Sequence, residues 1–309
     1  MKPIVITMGR AFCDIDALAC AVAYKEFLEK TGQSAVVFIP GILNYSTGYW
    51  GKKLEKEITT VFPKETEKIV VVDVSDPDKF HPEVTTEKVV EIFDHHSGFE
   101  KFWNERLGQK SHIETIGACA TLIWEEFTKV GLEKTISRTS AELMAAAIVE
   151  NTSNLDPNIA IPRDFTAIEN LQKQATLPDD WRKKYYTACE NNILNDVESA
   201  LRGDTKIEKI PERERLIIIG QLELWQPKDL LKNHRQQIET ILKSFGSPHW
   251  MLNLLNISEK KNTILTNDPE TQNFLQNNFE VTFKNGLAET DKMILRKKIL
   301  KTLQENGWN

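Results

Sequence analysis

Val89-Val90-Glu91-Ile92-Phe93-Asp94-His95-His96 is the stretch whose reading decides the fold. A β-rich apolar run stops abruptly at one carboxylate and two imidazoles. The pattern has two partners upstream. Val70-Val71-Val72 runs into Asp73, and the apolar run 3–8 is followed at once by Asp14 and Asp16. Residues 3–8, 34–40, 68–74 and 88–93 are predicted strands. A helix with Gly32 just past its end is predicted over 17–30, and further helices over 118–130, 140–149, 163–175 and 179–200. Continuous β-branched runs separated by helices predict an α/β fold, a parallel sheet with helices on both faces.

The chain has 309 residues, room for about two domains at roughly 100–200 residues each. Composition shifts near Arg202-Gly203-Asp204. A charged stretch over 206–215 then leads into an apolar strand, 216–219. The expected organisation is a first domain over 1–195, a short linker at about 196–207, and a smaller C-terminal α/β domain within 196–309. In that second part helices are predicted over 227–245 and 269–277, and strands over 250–256 and 262–266.

With 39 Lys and Arg against 45 Asp and Glu, the net charge is −6, which argues against a partner of long nucleic acid. A small anionic substrate held by a local basic pocket stays open. No apolar run approaches the roughly 18–20 residues of a membrane span, so no membrane partner is expected. Cys13, Cys20, Cys119 and Cys189 are scattered without a C-x-x-C pair. That is the usage of reduced thiols in a cytoplasmic protein rather than a disulfide framework or zinc site.

The acids and histidines carry the chemistry. In an open parallel sheet the loops at the carboxyl ends of the strands converge on one crevice. Asp14, Asp16, Asp73, Asp94, His95 and His96 all follow strand ends, so three separate segments would meet there. Gathered carboxylates repel unless a cation lies between them. Mixed oxygen and nitrogen ligands suit Mn²⁺, Mg²⁺, Fe or Zn. A central carboxylate such as Asp73 could bridge two ions about 3.5–4 Å apart, an arrangement that activates water for phosphoryl displacement.

These residues resemble the DHH phosphoesterase superfamily, named for the tripeptide found here as Asp94-His95-His96. The first motif of that superfamily, His-x-x-x-Asp-x-Asp-Ala, is matched by Arg10 through Ala17, and its Asp-ending strand by Val70 to Asp73. Gly117-Ala118-Cys119-Ala120-Thr121 resembles the helix start after the histidine pair. Asn151-Thr152-Ser153-Asn154-Leu155 stands where the Asp-Thr-x-x-Phe motif is common. In the C-terminal half, Ile219-Gly220-Gln221-Leu222-Glu223 and Arg296-Lys297-Lys298 resemble segments of family II, manganese-dependent inorganic pyrophosphatases, a plan shared with exopolyphosphatases and prune-type proteins.

The resemblance implies a crevice between the two domains holding one or two divalent ions, Mn²⁺ or Mg²⁺. Asp14 and Asp73 would hold one ion, and Asp16, Asp73 and His95 the other. Asp94 and His96 would support the metals or move protons in catalysis. Arg296, Lys297 and Lys298 would bind substrate phosphates, with domain closure bringing them to the metals. A homodimer is consistent with the same resemblance.

Two family ligands are replaced. Arg10 stands for the first-motif histidine and stays protonated, so it cannot ligate a metal. Its expected role is to lend charge, with its guanidinium between Asp14 and Asp73. Asn151 stands for the fourth-motif aspartate and is a weaker oxygen donor; Glu150 beside it is an alternative ligand. The leading expectation is a metal-dependent hydrolase of pyrophosphate or short polyphosphate. One alternative is a catalytically degenerate protein that binds a phosphorylated ligand or partner. Another is a phosphodiesterase on short nucleotides, for which Trp50 and Trp103 are the candidate stacking residues.

Overall fold

The computed structural model describes residues 2–210 and 215–308. The chain divides into two units, Met1–Arg182 and Lys183–Asn309. The first contains β1 (Ile4–Thr7), β2 (Phe12–Cys13), α1 (Ile15–Lys30), β3 (Ala35–Phe38), β4 (Ile42–Leu43), α2 (Gly48–Leu54) and β5 (Ile58–Thr59). It continues through β6 (Ile69–Val72), β7 (Val89–Asp94), α3 (Glu100–Leu107), β8 (Ser111–Ile113), α4 (Cys119–Lys129), α5 (Arg138–Asn151) and α6 (Pro162–Ala175).

Six of these strands form one sheet in the order β5-β3-β1-β6-β7-β8, parallel throughout, as the sequence predicts. β1 and β6 are both buried along their whole length, which is why they read as β-branched runs without polar alternation. Their side chains alternate between faces. Val5, Ile69 and Val71 join Phe38, Phe80 and Trp103 in a core on one side. α1 packs against β1, β3 and β6, and against α4 and α5. It begins where Asp14 caps it and ends before Gly32, whose φ of 84° lets the chain turn away.

Topology positions the candidate site. From β1 the chain moves outward through β3 to β5, then returns to the other side of β1 for β6, β7 and β8. The order reverses between β1 and β6, and ligands of open parallel sheets bind outside the carboxyl ends of the strands at such a point. Asp73 follows the last residue of β6.

The second unit contains α7 (Trp181–Asn195), at whose start the units divide, α8 (Val197–Arg202), β9 (Thr205–Ile210), β10 (Arg215–Leu224) and α9 (Lys228–Lys243). It then has β11 (His249–Asn256), β12 (Lys261–Leu265), α10 (Pro269–Phe279), β13 (Leu287–Glu289) and α11 (Arg296–Asn306). The sheet order is β13-β12-β11-β10-β9; only β10 and β11 are parallel. Phe274, Ile299, Leu303 and Trp308 cover one face with residues from α10 and α11, and α8 and α9 pack on β10 and β11. The stretch 196–207, expected as a linker, is instead α8 and the start of β9; positions 211–214 of the charged stretch lie outside the described residues. The single helix expected over 179–200 breaks at Asp196, whose side chain accepts the Ser199 N–H at 3.0 Å and starts a new helix. Among the described residues no helix is long and apolar enough to cross a membrane, and all four cysteines are buried.

A buried polar cluster ties β7 to β8. Glu91 accepts from Tyr24 Oη at 2.5 Å and Lys110 Nζ at 2.7 Å, and lies 3.2 Å from His112 Nε2. Burial alone would raise the Glu91 carboxyl, but the His112, Lys110 and Tyr24 bonds outweigh it and hold it below 4.5. A carboxyl lowered on folding adds stability above its unfolded value and loses it as pH falls through the folded one. Glu91→Gln is therefore expected to lower the melting temperature at pH 7, with the gap from wild type closing below about pH 4. A gap that stays constant with pH would contradict this.

Candidate metal centre

Asp14 and Asp16 open α1. Asp14 Oδ1 accepts the Ala17 N–H at 3.0 Å, an N-cap bond that occupies one carboxylate oxygen. Asp16 is completely buried. Its oxygens accept the N–H groups of Cys119 and Ala120, both at 2.9 Å, so it binds the N-terminus of α4, where negative charge is favoured. Burial and then the Asp14 charge push the Asp16 carboxyl up to about 7, against the pull of those two N–H groups.

Asp73 is the most constrained. Its φ of 58° is left-handed, a conformation that Asp tolerates better than most residues, and its N–H is held by Phe93 O at 2.8 Å. Its side chain is 6 % exposed, and Oδ1 has no hydrogen-bond partner among the described residues. Burial first, then the charges of Asp14 and Asp16, push its carboxyl well above the ordinary range. A buried carboxylate oxygen without a donor, facing two more carboxylates, is costly unless a cation completes it.

The histidines divide the work. His95 is almost buried, and its Nδ1 meets two carbonyls, Gly117 O at 3.1 Å and Ile116 O at 3.3 Å. Both only accept, so Nδ1 carries the proton and Nε2 carries a lone pair in the neutral ring. Nε2 lies 3.4 Å from Asp73 Oδ1 and 3.8 Å from Asp16 Oδ2. A lone pair against two carboxylates is the donor set of a metal ligand whose other nitrogen is fixed by a carbonyl. His96 is half-exposed; its Nδ1 and backbone N–H meet Asp94 Oδ1 at 2.8 and 3.1 Å. Burial would raise the Asp94 carboxyl, but the His96 hydrogen bond and the neighbouring imidazoles keep it low.

Asp73, His95 and His96 offer ligand atoms within 4.8 Å of one another, the group among the described acids, thiols and imidazoles compact enough to share an ion. The unpartnered Asp73 oxygen and the His95 tautomer fit a divalent cation. Glu150 is buried but outside this group. Asn151, the last residue of α5, directs Nδ2 to Ala147 O at 3.3 Å. Arg10 is exposed and forms no ion pair with Asp14 or Asp73 among the described residues; its N–H is tied to Lys79 O at 2.9 Å. The guanidinium expected between those aspartates is therefore not there. Trp50 and Trp103 are buried, and Trp103 Nε1 donates to Ser75 O at 2.7 Å; both are core residues, unable to stack on a ligand as they stand.

In the second unit the two segments singled out in the sequence meet. Gln221 Oε1 on β10 accepts the Arg296 N–H at 2.7 Å and Asn253 Nδ2 at 3.1 Å, while Asn262 and Asn253 grip Ile294. Arg296 is buried, with its guanidinium on Asp204 O at 2.7 Å and Asp204 Oδ1 at 2.6 Å. Lys297 and Lys298 on the first turn of α11 are exposed.

Sequence reasoning passed over Asp164. It is completely buried and accepts from Gly117 N, Ile161 N and Thr121 Oγ1. The available signal was a local one, an acid two residues past Pro162 at a helix start.

Residues 4–148 match the model of the DHH family, N-terminal domain. The chain is 23 % identical over 299 residues to a "Probable manganese-dependent inorganic pyrophosphatase" of Lactobacillus delbrueckii subsp. bulgaricus, covering 95 % of each chain. A Lactobacillus helveticus protein of the same name is 28 % identical over 167 residues, 53 % of this chain and 52 % of that one. "Exopolyphosphatase PRUNE1" of Mus musculus is 26 % identical over 207 residues, 59 % and 43 %. The chain thus spans about half the length, or less, of those last two relatives. A Methanococcus jannaschii structure, "putative family II inorganic pyrophosphatase", shares the fold with a TM-score of 0.72 at 18 % identity, covering 99 % of each chain.

Asp73→Asn tests the site without a substrate. Asn accepts the left-handed backbone and removes the uncompensated charge. In chelator it is expected to stabilise the protein by about 1–2 kcal/mol, the cost of an unsatisfied buried polar group, or roughly 2–8 °C. Mn²⁺ is expected to raise the melting temperature of wild type and not of the variant. A variant less stable than wild type in chelator, or equal Mn²⁺ stabilisation of both, would refute the cation site.

Proposed function

We propose that this protein is a divalent-metal-dependent hydrolase of phosphoanhydride bonds, acting on inorganic pyrophosphate or short polyphosphate. The supporting observation is the buried, unpartnered Asp73 Oδ1 beside the His95 Nε2 lone pair. The names of the relatives supply the substrate class and favour manganese.

Asp73 and His95 would hold the ion, with Asp14 and Asp16 adding negative charge around it. Bound there, a divalent ion supplies Lewis acidity and lowers the pKa of water. The Asp94 carboxylate orients the His96 ring by accepting at Nδ1, which leaves Nε2 of a half-exposed imidazole to take a proton or deliver one to the leaving oxygen. In the second unit, Lys297 and Lys298 are cations at a helix N-terminus, where the dipole disfavours positive charge and favours an anion. We assign them to phosphate oxygens, with Arg296 as the buried anchor that fixes the turn carrying them.

Phosphate release from pyrophosphate and tripolyphosphate, with Mn²⁺, Mg²⁺ or Co²⁺, tests the reading. Release should require metal and vanish in Asp73→Ala. His96→Gln should lower kcat by about 10²–10⁴-fold, the usual size of an acid–base contribution. Release indifferent to Asp73→Ala overturns the proposal. So does an absence of release with every metal, which favours a ligand-binding protein in which the Arg10 and Asn151 replacements ended turnover. Hydrolysis of dinucleotides in place of pyrophosphate would point to a phosphodiesterase.

A further inference from the structure

Asp164 has more hydrogen bonds than its place in the chain requires. As the third residue of α6 it accepts the Ile161 N–H at 2.9 Å, a local cap that needs one oxygen lone pair. Its other bonds come from far away in sequence. Thr121 Oγ1 donates at 2.6 Å and the Gly117 N–H at 3.1 Å, the latter to the oxygen that also serves Ile161. The Gly117 nitrogen belongs to the same peptide group as the Ile116 carbonyl, and that carbonyl faces His95 Nδ1 at 3.3 Å. The Gly117 carbonyl, 3.1 Å from Nδ1, is the second acceptor. A Cβ added at Gly117 would collide with Asp164 Oδ2 and with Thr152 Cγ2, so this backbone is pressed directly onto the carboxylate.

We infer that Asp164 is a positioning residue for the metal centre, acting on His95 through the Ile116–Gly117 peptide. This deepens the proposed metal site and rests on it. A carboxylate pulling on a peptide N–H polarises the group, and its carbonyl becomes a stronger acceptor. The stronger acceptor holds the proton on Nδ1, fixes the ring, and makes the Nε2 lone pair a better ligand for a cation shared with Asp73 and Asp16. Metal-bound histidines commonly lean on a carboxylate or carbonyl in this way; here the carboxylate reaches the ring through an intervening peptide. The Thr121 bond binds Asp164 to the first turns of α4, whose N-terminus is capped by Asp16. One buried acid thereby fixes His95 against the helix that carries the Asp16 contacts.

The test uses the full chain, freed of metal and titrated with Mn²⁺ followed by electron paramagnetic resonance of the free ion. Asp164→Asn, which keeps the shape and removes the charge, should weaken Mn²⁺ binding about 10–100-fold, the usual cost of losing such an outer partner. Thr121→Val, which removes the tie between Asp164 and α4 and leaves the Gly117 N–H bond to Asp164 in place, should weaken binding less than Asp164→Asn does. Asp164→Asn that melts cooperatively and binds Mn²⁺ like wild type would overturn the inference. Because that variant could fail to fold, the wild-type protein supplies an independent arm. Nitrogen-15 spectroscopy of labelled histidine, assigned with His95→Gln, should show the His95 proton on Nδ1; a proton on Nε2 alone would overturn the inference. Wild type that binds no Mn²⁺ would sink the metal reading and this inference with it, a failure visible before any variant is compared.

Discussion

The architecture of the first unit depends on one uncompensated carboxylate. Asp73 leaves β6 with a left-handed backbone, almost buried, with one oxygen lacking a donor and two further aspartates close enough to raise its carboxyl. A protein selected for stability alone would place Asn or Gly there. Strained backbone and unsatisfied polar atoms persist where a ligand uses them. The surrounding groups have the complementary form: His95 presents a lone pair, while Asp94 Oδ1 holds the His96 ring.

The parallel sheet creates that position and the helices hold it. The strand order reverses between β1 and β6, so the loops after these strands diverge and leave room at their carboxyl ends. α1 starts at Asp14 and α4 is capped by Asp16, so the backbone N–H groups of α4 stabilise charge that would otherwise oppose folding. Asp164 closes the arrangement from α6. In the second unit a buried Arg296–Asp204 pair and a row of amides on β10, β11 and β12 give α11 a fixed start. Such a pair adds little net stability, and its value is in fixing one geometry.

The parts of the fold legible in the sequence were those whose burial is complete. β1 and β6 read as strands because both faces are covered, and α1 because its cap and its C-terminal glycine flank a long apolar helix. β9 was lost among the linker residues because Lys206, Glu208 and Lys209 alternate with apolar residues on an edge strand, so its pattern resembles a charged loop. The acids and histidines of the site were visible because each follows a strand end. Asp164 was not, because its function depends on a contact across 47 residues. Arg296 was expected to clamp phosphate oxygens, and the contact that holds its guanidinium, with Asp204, spans 92 residues that no local pattern reveals. Arg10 was expected to sit between carboxylates, but it is exposed and pairs with neither Asp14 nor Asp73 among the described residues.

The most direct test of the central claim is crystallography of the protein with Mn²⁺, recorded at the manganese absorption edge. An anomalous peak bonded to Asp73 Oδ1 and His95 Nε2 is the result this account requires. Those two atoms closing on each other with no ion between them at saturating Mn²⁺, or an ion held elsewhere, would contradict it.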